Sequence, residues 1–215
     1  MRILAGLDKP DSGNVSIDID NKMRTVKVGD IGVVFQRYPL FDDRSVLQNL
    51  IEPAINSGLN KNEAELKAIK FLEEFGLDNQ ISSFPAQLSG GQRQRVAIAQ
   101  QLIQDRHYII LDEPFSGLDP NNIHNVISLL QRIANQHSKN TFIIVTHDIT
   151  SALIISDTVI ILGKTSANEG SKIVKEYDMI EEGLAYQANI EDFPRFQQIR
   201  KEIKYVEFPK LATQN

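Results

Sequence analysis

Cysteine is absent from this chain of 215 residues, and so is any long apolar run. Without cysteine there can be no disulfide, no thiolate metal site and no cysteine nucleophile, which suits a reducing compartment. No stretch approaches the roughly 18 apolar residues that span a bilayer, and the N-terminus lacks the pattern of a secretory signal. We therefore expect a cytoplasmic chain that meets a membrane only peripherally.

An excess of basic residues is also absent. The chain has 23 Lys and Arg against 28 Asp and Glu, a net charge of −5, and its basic residues are dispersed among acidic ones. No basic stripe is therefore available for nucleic acid, which we do not expect as a partner. The hydrophobic content of 41% is enough for the core of one large domain or of one domain with an insertion.

Apolar strand-like runs alternate with helical patterns along the chain. Between the runs, helical spacing relates apolar residues such as Ile123, Val126 and Leu130. Strands that are nearly all apolar and separated by amphipathic helices predict an α/β fold, with a mostly parallel sheet flanked by helices. The strand-like runs are VSIDID, IGVVFQ, HYIILDEP, TFIIVTHD and DTVIILG.

The stretch from about Ser45 to Leu88 has helical spacing and no strand-like run, which predicts a helical subdomain inserted into the sheet domain. Further on, KIVKEY fits an edge strand and PRFQQIRKEIKYV a final helix. We assign the whole chain to one domain. Its parts are a core sheet subdomain (1–44 and 89–165), the helical subdomain (45–88) and a C-terminal tail (166–215).

The most informative segment is LSGGQRQRVAIAQQL, which begins at Leu88. Ser89, Gly90 and Gly91 allow the backbone to approach an anion closely, and the helix that follows directs the partial positive charge of its N-terminus to the same place. A phosphate group fits such a site. A Gly-Gly pair before a helix is on its own most often a turn and a cap.

Polar residues follow three predicted strands, at the carboxyl edge where open α/β sheets bind ligands. Asp112 and Glu113 end YIILDE, so one carboxylate can hold Mg²⁺ while its neighbour polarises an attacking water. His147 ends the predicted buried strand TFIIVTH, and Gln36 ends IGVVFQ, from where its amide can reach a metal-bound water. Taken singly, an acid pair at a strand end is common, and a lone His there is more often structural.

Taken together and in this order, these motifs resemble those of the ATP-binding cassette (ABC) family, the nucleotide-binding subunits of ABC transporters. LSGGQ resembles its signature motif, IILDEP its Walker B strand, SGLD its D-loop, VTHD its switch histidine and VVFQ its Q-loop. The resemblance extends from residue 2 to about residue 163. It implies a P-loop NTPase-like fold with an N-terminal antiparallel β portion, and it implies ATP and Mg²⁺ as cofactors.

The resemblance also implies catalytic roles. Asp112 would hold the Mg²⁺ water shell, and Glu113 would act as the general base on the attacking water. Gln36 would touch the metal and relay its state to a membrane subunit, and His147 would contact the γ-phosphate. Phosphoryl transfer of this kind depends mainly on positioning and on charge stabilisation.

Roles in nucleotide binding and assembly are implied as well. Asp119 would communicate across a head-to-tail dimer, in which the signature residues clamp the nucleotide held by the opposite protomer. The partners implied are a second ATP-binding subunit, transmembrane permease subunits and a substrate-binding protein, at the cytoplasmic face of the membrane. RYPLF and the helical subdomain would form the docking surface. The signature residues are Ser89, Gly90, Gly91 and Gln92.

The P-loop, G-x-x-x-x-G-K-[ST], is not found in residues 1–215, although RILAGL resembles the body of the helix that follows it. Two interpretations stay open. In one, Met1 is an internal methionine of an ordinary transporter ATPase. In the other, the protein is a degenerate subunit that completes a partner's ATP site without hydrolysing ATP itself. In either case we expect the chain as given to be inactive alone, because a P-loop supplies the phosphate cradle.

Two further features bear on the kind of ATPase. The tail EEGLAYQANIEDFPRFQQIRKEI is similar to the tails of nitrate, sulfonate and taurine importers, which favours import in a bacterium. A DNA-repair or chromosome-organising ATPase is the alternative from another class, but such proteins usually carry a long coiled coil between Q-loop and signature. Gln36 and Leu88 lie only 52 positions apart here, so we favour the transporter subunit.

The mass of the native subunit distinguishes the two interpretations of the missing P-loop. We expect a mass several kilodaltons above the 24.2 kDa of this chain, because a P-loop and the strand that feeds it would precede Met1. Intact mass spectrometry of the subunit isolated with its own membranes measures this. A mass equal to that of the chain would instead favour the degenerate subunit.

Overall fold

The computed structural model describes residues 1–19, 21–36, 39–135, 140–164 and 170–207. The chain forms two compact units, Met1–Val145 and Thr146–Asn215. None of the described helices is long and apolar enough to cross a membrane.

The elements follow one another along the chain with short connections. In the first unit they are β1 (Ser16–Ile19), β2 (Lys22–Thr25), β3 (Gly32–Val34), α1 (Val46–Asn56), α2 (Lys61–Glu74), α3 (Gly90–Leu102), β4 (Tyr108–Asp112), α4 (Pro120–Ala134) and β5 (Thr141–Val145). In the second unit they are α5 (Ile149–Ile155), β6 (Thr158–Gly163), β7 (Lys172–Asp178) and α6 (Pro194–Glu202). Single 3-10 turns occur at Asp78–Gln80, Pro85–Gln87 and Ile190–Asp192, and a π-helical turn at Ile203–Glu207.

A parallel sheet in the order β3-β4-β5 lies in the first unit. In its register Asp112 of β4 is opposite Val145 of β5. Ile109, Ile110 and Leu111 of the central strand are at most 2% exposed, as expected for a parallel strand that is covered on both faces. The predicted α/β fold with a parallel sheet is confirmed.

An antiparallel pair, β1 with β2, stands beside this sheet. Ile17 of β1 and Val26, just after β2, belong to one apolar cluster with Ile110 of β4. The hydroxyl of Tyr108 on β4 also donates a hydrogen bond to the carbonyl of Asp18, at 2.9 Å. The antiparallel portion implied by the resemblance is therefore present and packs on the central strand.

The opening RILAGL forms turns and not the expected helix. The N–H of Ala5 donates to the carbonyl of Met1 at 3.0 Å, but the next bond, from Gly6 to Ile3, already has the spacing of a tighter turn. Gly6 then adopts φ 71°, a left-handed conformation that ends helices. One helical hydrogen bond is too small a nucleus to sustain a helix.

Two helices occupy the inserted stretch. Ser45 caps α1 and Asn60 caps α2, and each belongs to a capping box with the residue three positions further on. Leu50 of α1 and Leu72 of α2 are fully buried. The two helices pack against each other, and both also contact α3. The predicted inserted helices are confirmed, whereas the subdomain boundaries given above remain predictions.

Strand β5 differs from the buried strand that was predicted. Ile143 is 36% exposed and Val145 is 38% exposed, and exposure alternates along the strand, so one face of β5 is less covered than the other. β5 also has β4 as its only neighbour among the described strands of this sheet. The strand also ends at Val145, two residues before His147. In the same way β3 ends at Val34, so Gln36 lies in the turn beyond the strand and not at its last position.

The second unit is a smaller α/β layer. β6 and β7 pair antiparallel, and Val159 of β6 and Tyr177 of β7 face a core that contains Leu153 of α5 and Phe196 of α6. The predicted strand KIVKEY is confirmed as β7, and the predicted final helix as α6 and the π-helical turn after it.

Burial predicts which leucines hold the helical subdomain. Leu50→Ala should lower the free energy of unfolding by about 2–5 kcal/mol, because it leaves a cavity at a fully buried position. Leu66→Ala on α2 is the matched control, since Leu66 is 71% exposed and its truncation should cost less than about 0.5 kcal/mol. Denaturant titration of both variants measures the difference. Equal losses would show that the packing at Leu50 is not as described.

Candidate functional site

The signature segment is built on the N-terminus of α3. Ser89 is the N-cap, and its hydroxyl oxygen accepts from the N–H of Gln92 at 3.3 Å. The side-chain oxygen of Gln92 accepts in return from the N–H of Ser89 at 2.9 Å. Both side chains act as acceptors in this capping box, so the Ser89 hydroxyl and the Gln92 amide keep their donor capacity. Such donors at a helix N-terminus suit an anion.

The two glycines of the signature have different surroundings. A Cβ on Gly90 would have no protein atom within 4 Å, so the helix terminus is open at this point. A Cβ on Gly91 would lie 3.6 Å from Cγ of Asn122 and 3.6 Å from Cδ2 of Leu118. The signature segment therefore lies directly beside the SGLD segment within the first unit.

Asp119, the last residue of SGLD, is the N-cap of α4. Its Oδ1 accepts from the N–H of Asn122 at 3.1 Å, and its Oδ2 accepts from the side-chain amide of the same residue. These hydrogen bonds, led by the backbone N–H of Asn122, hold the pKa of Asp119 below the usual value for aspartate. The carboxylate is thus engaged by its own helix, and its expected role across a dimer remains a prediction.

The carboxyl ends of the parallel strands bring a second group of residues to one edge of the sheet. Asp112 is the last residue of β4, Glu113 follows it, and Gln36 lies two residues beyond the end of β3. Glu113 adopts φ 51°, a left-handed conformation that is uncommon outside glycine. Its N–H donates to the carbonyl of Val145 at 2.8 Å, which fixes the backbone of Glu113 against the end of β5.

Backbone strain of this kind accumulates at functional sites, so the conformation of Glu113 marks the sheet edge as a candidate site. No group of three or more His, Cys, Asp or Glu suited to a metal occurs among the described residues. One or two carboxylates with an amide oxygen are nevertheless the donor set that Mg²⁺ accepts when phosphate oxygens and water complete its shell. Asp112 and Gln36 therefore fit Mg²⁺ bound together with a phosphate ligand.

His147 belongs to the second unit. It directly precedes Asp148, the N-cap of α5, whose Oδ1 accepts from the N–H groups of Thr150 and Ser151 at 3.1 and 3.3 Å. The local role of this segment is to begin α5, and the assignment of His147 to a γ-phosphate remains a prediction.

Two arginines that sequence reasoning missed hold the C-terminus of α2. Arg95 of α3 donates to the carbonyl of Phe75 at 2.8 Å, and Arg132 of α4 donates to the carbonyl of Glu74 at 2.6 Å. Cations at this end of a helix bind its unpaired carbonyls and complement its dipole. Burial lowers the pKa of Arg95. For Arg95 the only sequence signal was the RQR that follows the signature, which does not reveal the partner, and Arg132 carried no signal.

Comparisons with known proteins identify the family of the chain. A family model described as ABC transporter matches residues 1–116. The lipoprotein-releasing system ATP-binding protein LolD of Saccharophagus degradans is 36% identical over 159 residues, which cover 71% of this chain and 69% of LolD. The methionine import ATP-binding protein MetN of Corynebacterium jeikeium is 33% identical over 188 residues, which cover 84% of this chain and 49% of MetN. The chain thus spans about half the length of the latter relative.

Two solved structures share the fold. CbiO1 of Clostridium perfringens, part of the ABC transporter complex cbiONQ, superposes with a TM-score of 0.70 at 27% identity. The match covers 100% of this chain and 81% of the CbiO1 chain. The dimeric post-hydrolysis state of the ATP-binding cassette MJ0796, bound to ADP and Pi, superposes with a TM-score of 0.64 at 29% identity. The match covers 81% of this chain and 78% of the MJ0796 chain. The fold is that of an ATP-binding cassette. The chain belongs to the ABC transporter family.

The cap of α4 predicts a pH dependence. Asn122→Ala should raise the pKa of Asp119 part of the way towards its usual value, because one of the donors to the carboxylate is removed while the backbone N–H remains. Since this pKa is lower in the folded chain than in the unfolded chain, the stabilisation by the cap is complete above the ordinary aspartate pKa. It is lost as the pH falls through the folded-state value.

NMR titration of the Asp119 carboxyl carbon measures this pKa in the wild-type chain and in the Asn122→Ala variant. Asn121→Ala is the control, since the side chain of Asn121 does not contact the carboxylate in the hydrogen bonds described. A pKa of Asp119 that is the same in wild type and Asn122→Ala would contradict the side-chain bond.

Proposed function

We propose that the chain is the ATP-binding and ATP-hydrolysing subunit that powers a membrane ABC transporter. The observation that carries the proposal is Glu113, held in a left-handed backbone conformation immediately after Asp112 at the carboxyl end of the central strand. A carboxylate on a backbone that is fixed at this edge can polarise a water molecule for attack on a phosphate. The family and the cassette fold support the proposal.

The catalytic roles follow from the sheet edge. Asp112 and Gln36 would hold Mg²⁺ through oxygen atoms and bound water, and this ion would neutralise charge on the phosphates. Glu113 would take the proton of the attacking water, because it directly follows Asp112 at the same edge of the sheet. His147 would contact the γ-phosphate.

The signature acts on a nucleotide held by a second ATP-binding subunit. The hydroxyl of Ser89 and the side-chain amide of Gln92 would donate to the γ-phosphate, together with the open N-terminus of α3 at Gly90 and Gly91. Asp119 would lie near the boundary between the two subunits. The dimeric state of the neighbour MJ0796, which carries ADP and Pi, supports this arrangement.

The transporter contact would lie on the segment after Gln36 and on the helical subdomain. Arg37 and Tyr38 of RYPLF lie outside the described residues. Phe41 is 47% exposed, and the guanidinium of Arg44 lies 4.3 Å from the centre of its ring. An exposed aromatic side chain with a cation above it suits a partly apolar protein partner. We propose permease subunits as that partner, at the cytoplasmic face of the membrane.

Import is the direction we propose, with a substrate-binding protein as a further partner. The likeness of the tail to importer tails supports it, as do the relatives whose printed names are import proteins, such as MetN. LolD, a lipoprotein-releasing protein by name, represents the other direction. Uptake of labelled candidate substrates into vesicles that contain the assembled transporter tests the direction.

Glu113→Gln in the native subunit, purified with its membrane partners, tests the hydrolytic role. We expect ATP turnover to fall at least about a hundredfold, because an amide cannot act as the general base, while ATP binding is retained. Glu176→Gln on β7 is the matched control, since Glu176 is exposed and lies outside the proposed catalytic site and transporter contact; it should turn over like wild type. Phosphate release and nucleotide binding are the measurements.

The degenerate subunit predicts another result in the same assay. Its own Glu113 would face a site that does no hydrolysis, so Glu113→Gln would turn over ATP normally, whereas Ser89→Ala would impair the partner's site. Normal turnover in Glu113→Gln would therefore contradict the proposal.

A further inference from the structure

Helix α1 contains a proline in its interior, and this leaves one of its carbonyls without the usual donor. Pro53 lies within Val46–Asn56, and a proline has no N–H to donate to the carbonyl four residues earlier. That carbonyl belongs to Asn49, which is fully buried. A buried backbone carbonyl without a partner is costly, so another donor is needed.

The donor comes from the signature helix. The side-chain amide of Gln100 on α3 donates to the carbonyl of Asn49 at 3.2 Å. Gln100 is only 7% exposed, so this hydrogen bond is made away from solvent between residues 51 positions apart. Gln100 thus supplies to α1 the hydrogen bond that Pro53 cannot make, and it ties α1 to α3 at that point.

The side chain of Asn49 is hydrogen-bonded to the residues that precede α1. Its Oδ1 accepts from the N–H of Phe41 at 2.9 Å, and its Nδ2 donates to the carbonyls of Phe41, Arg44 and Ser45 at 3.1, 3.2 and 3.0 Å. We name residues 41–45 the entry segment. The backbone of the entry segment is thus held by a residue whose own carbonyl is held by α3.

We propose that Asn49 and Gln100 are positioning residues that make the entry segment, α1 and α3 move as one body. A displacement of the entry segment then reaches the N-terminus of α3, where Ser89 and Gln92 form the capping box. The inference rests on the proposed function for its significance, since it supplies a route from the transporter contact at Phe41 to the signature. The linkage itself is a property of the chain without nucleotide.

Pro53 provides a direct test of the linkage. Gln100→Met keeps the size of the side chain and removes the donor, so the folding equilibrium constant should fall roughly tenfold. In a Pro53→Ala background the new N–H can satisfy the carbonyl of Asn49, and the same change at Gln100 should then cost no more than about twofold. Gln101→Met is the matched control, because the side chain of Gln101 accepts from Arg106 and makes no hydrogen bond to α1 among those described.

Denaturant titration of the four chains gives the stability cycle. An equal loss from Gln100→Met in both backgrounds would overturn the inference, because Gln100 would then not replace the missing donor. If Gln100→Met alone fails to fold, folding of the Pro53→Ala Gln100→Met chain supports the inference, and failure of that chain overturns it.

Amide hydrogen exchange tests the positioning role in the full chain. The N–H of Phe41 reports the entry segment and the N–H of Gln92 reports the capping box, since each donates to a named side chain. Relative to the N–H of Ile110 on the buried central strand, which reports global unfolding, we expect Gln100→Met to speed exchange at both amides by a further factor of roughly ten, Pro53→Ala to restore both, and Gln101→Met to change neither. An effect confined to one amide, or absent from both, would overturn the proposal. Because no nucleotide is used, loss of the hydrolytic role of Glu113 would leave this result unaffected.

Discussion

The hydrogen-bonding requirement of helix ends and broken helices is the constraint around which the first unit is built. α3 begins with N–H groups that have no partner within the helix. The capping box satisfies the N–H groups of Ser89 and Gln92, while the terminus at Gly90 remains open. Further along the same helix, Arg95 donates to the carbonyl of Phe75 at the end of α2. Gln100 donates to the carbonyl of Asn49, which has no donor from Pro53 within α1. One helix therefore carries the terminus that is proposed to face the nucleotide and also binds α1 and α2.

The fold class and the order of motifs could be predicted from the sequence because they depend on local patterns. Apolar strands, helical spacing and the LSGGQ, LDEP and SGLD segments are all continuous in the chain. The predictions were wrong where contacts with residues distant in the chain determine the local structure. β5 has an apolar sequence, but its residues Ile143 and Val145 are more than a third exposed. RILAGL was expected to form a helix, but it makes only turns and Gly6 is left-handed.

The residues that hold the site together could not be predicted because their partners are distant in sequence. Gln100 and Asn49 are 51 positions apart, and Arg132 and Glu74 are 58 apart. In each pair the acceptor is a backbone carbonyl, which has no side-chain identity that a motif could record. The residues proposed as catalytic are the opposite case, since Asp112 and Glu113 are adjacent in sequence at the end of one strand, so spacing alone placed them together.

The left-handed backbone of Glu113 has a consequence for protein engineering. A residue other than glycine pays roughly 1–2 kcal/mol for this conformation, and a glycine at the same position would relieve it. The more stable chain would lack the carboxylate that the proposed chemistry requires. A selection for thermal stability alone would therefore favour loss of the carboxylate at this residue, so that activity and stability must be screened together.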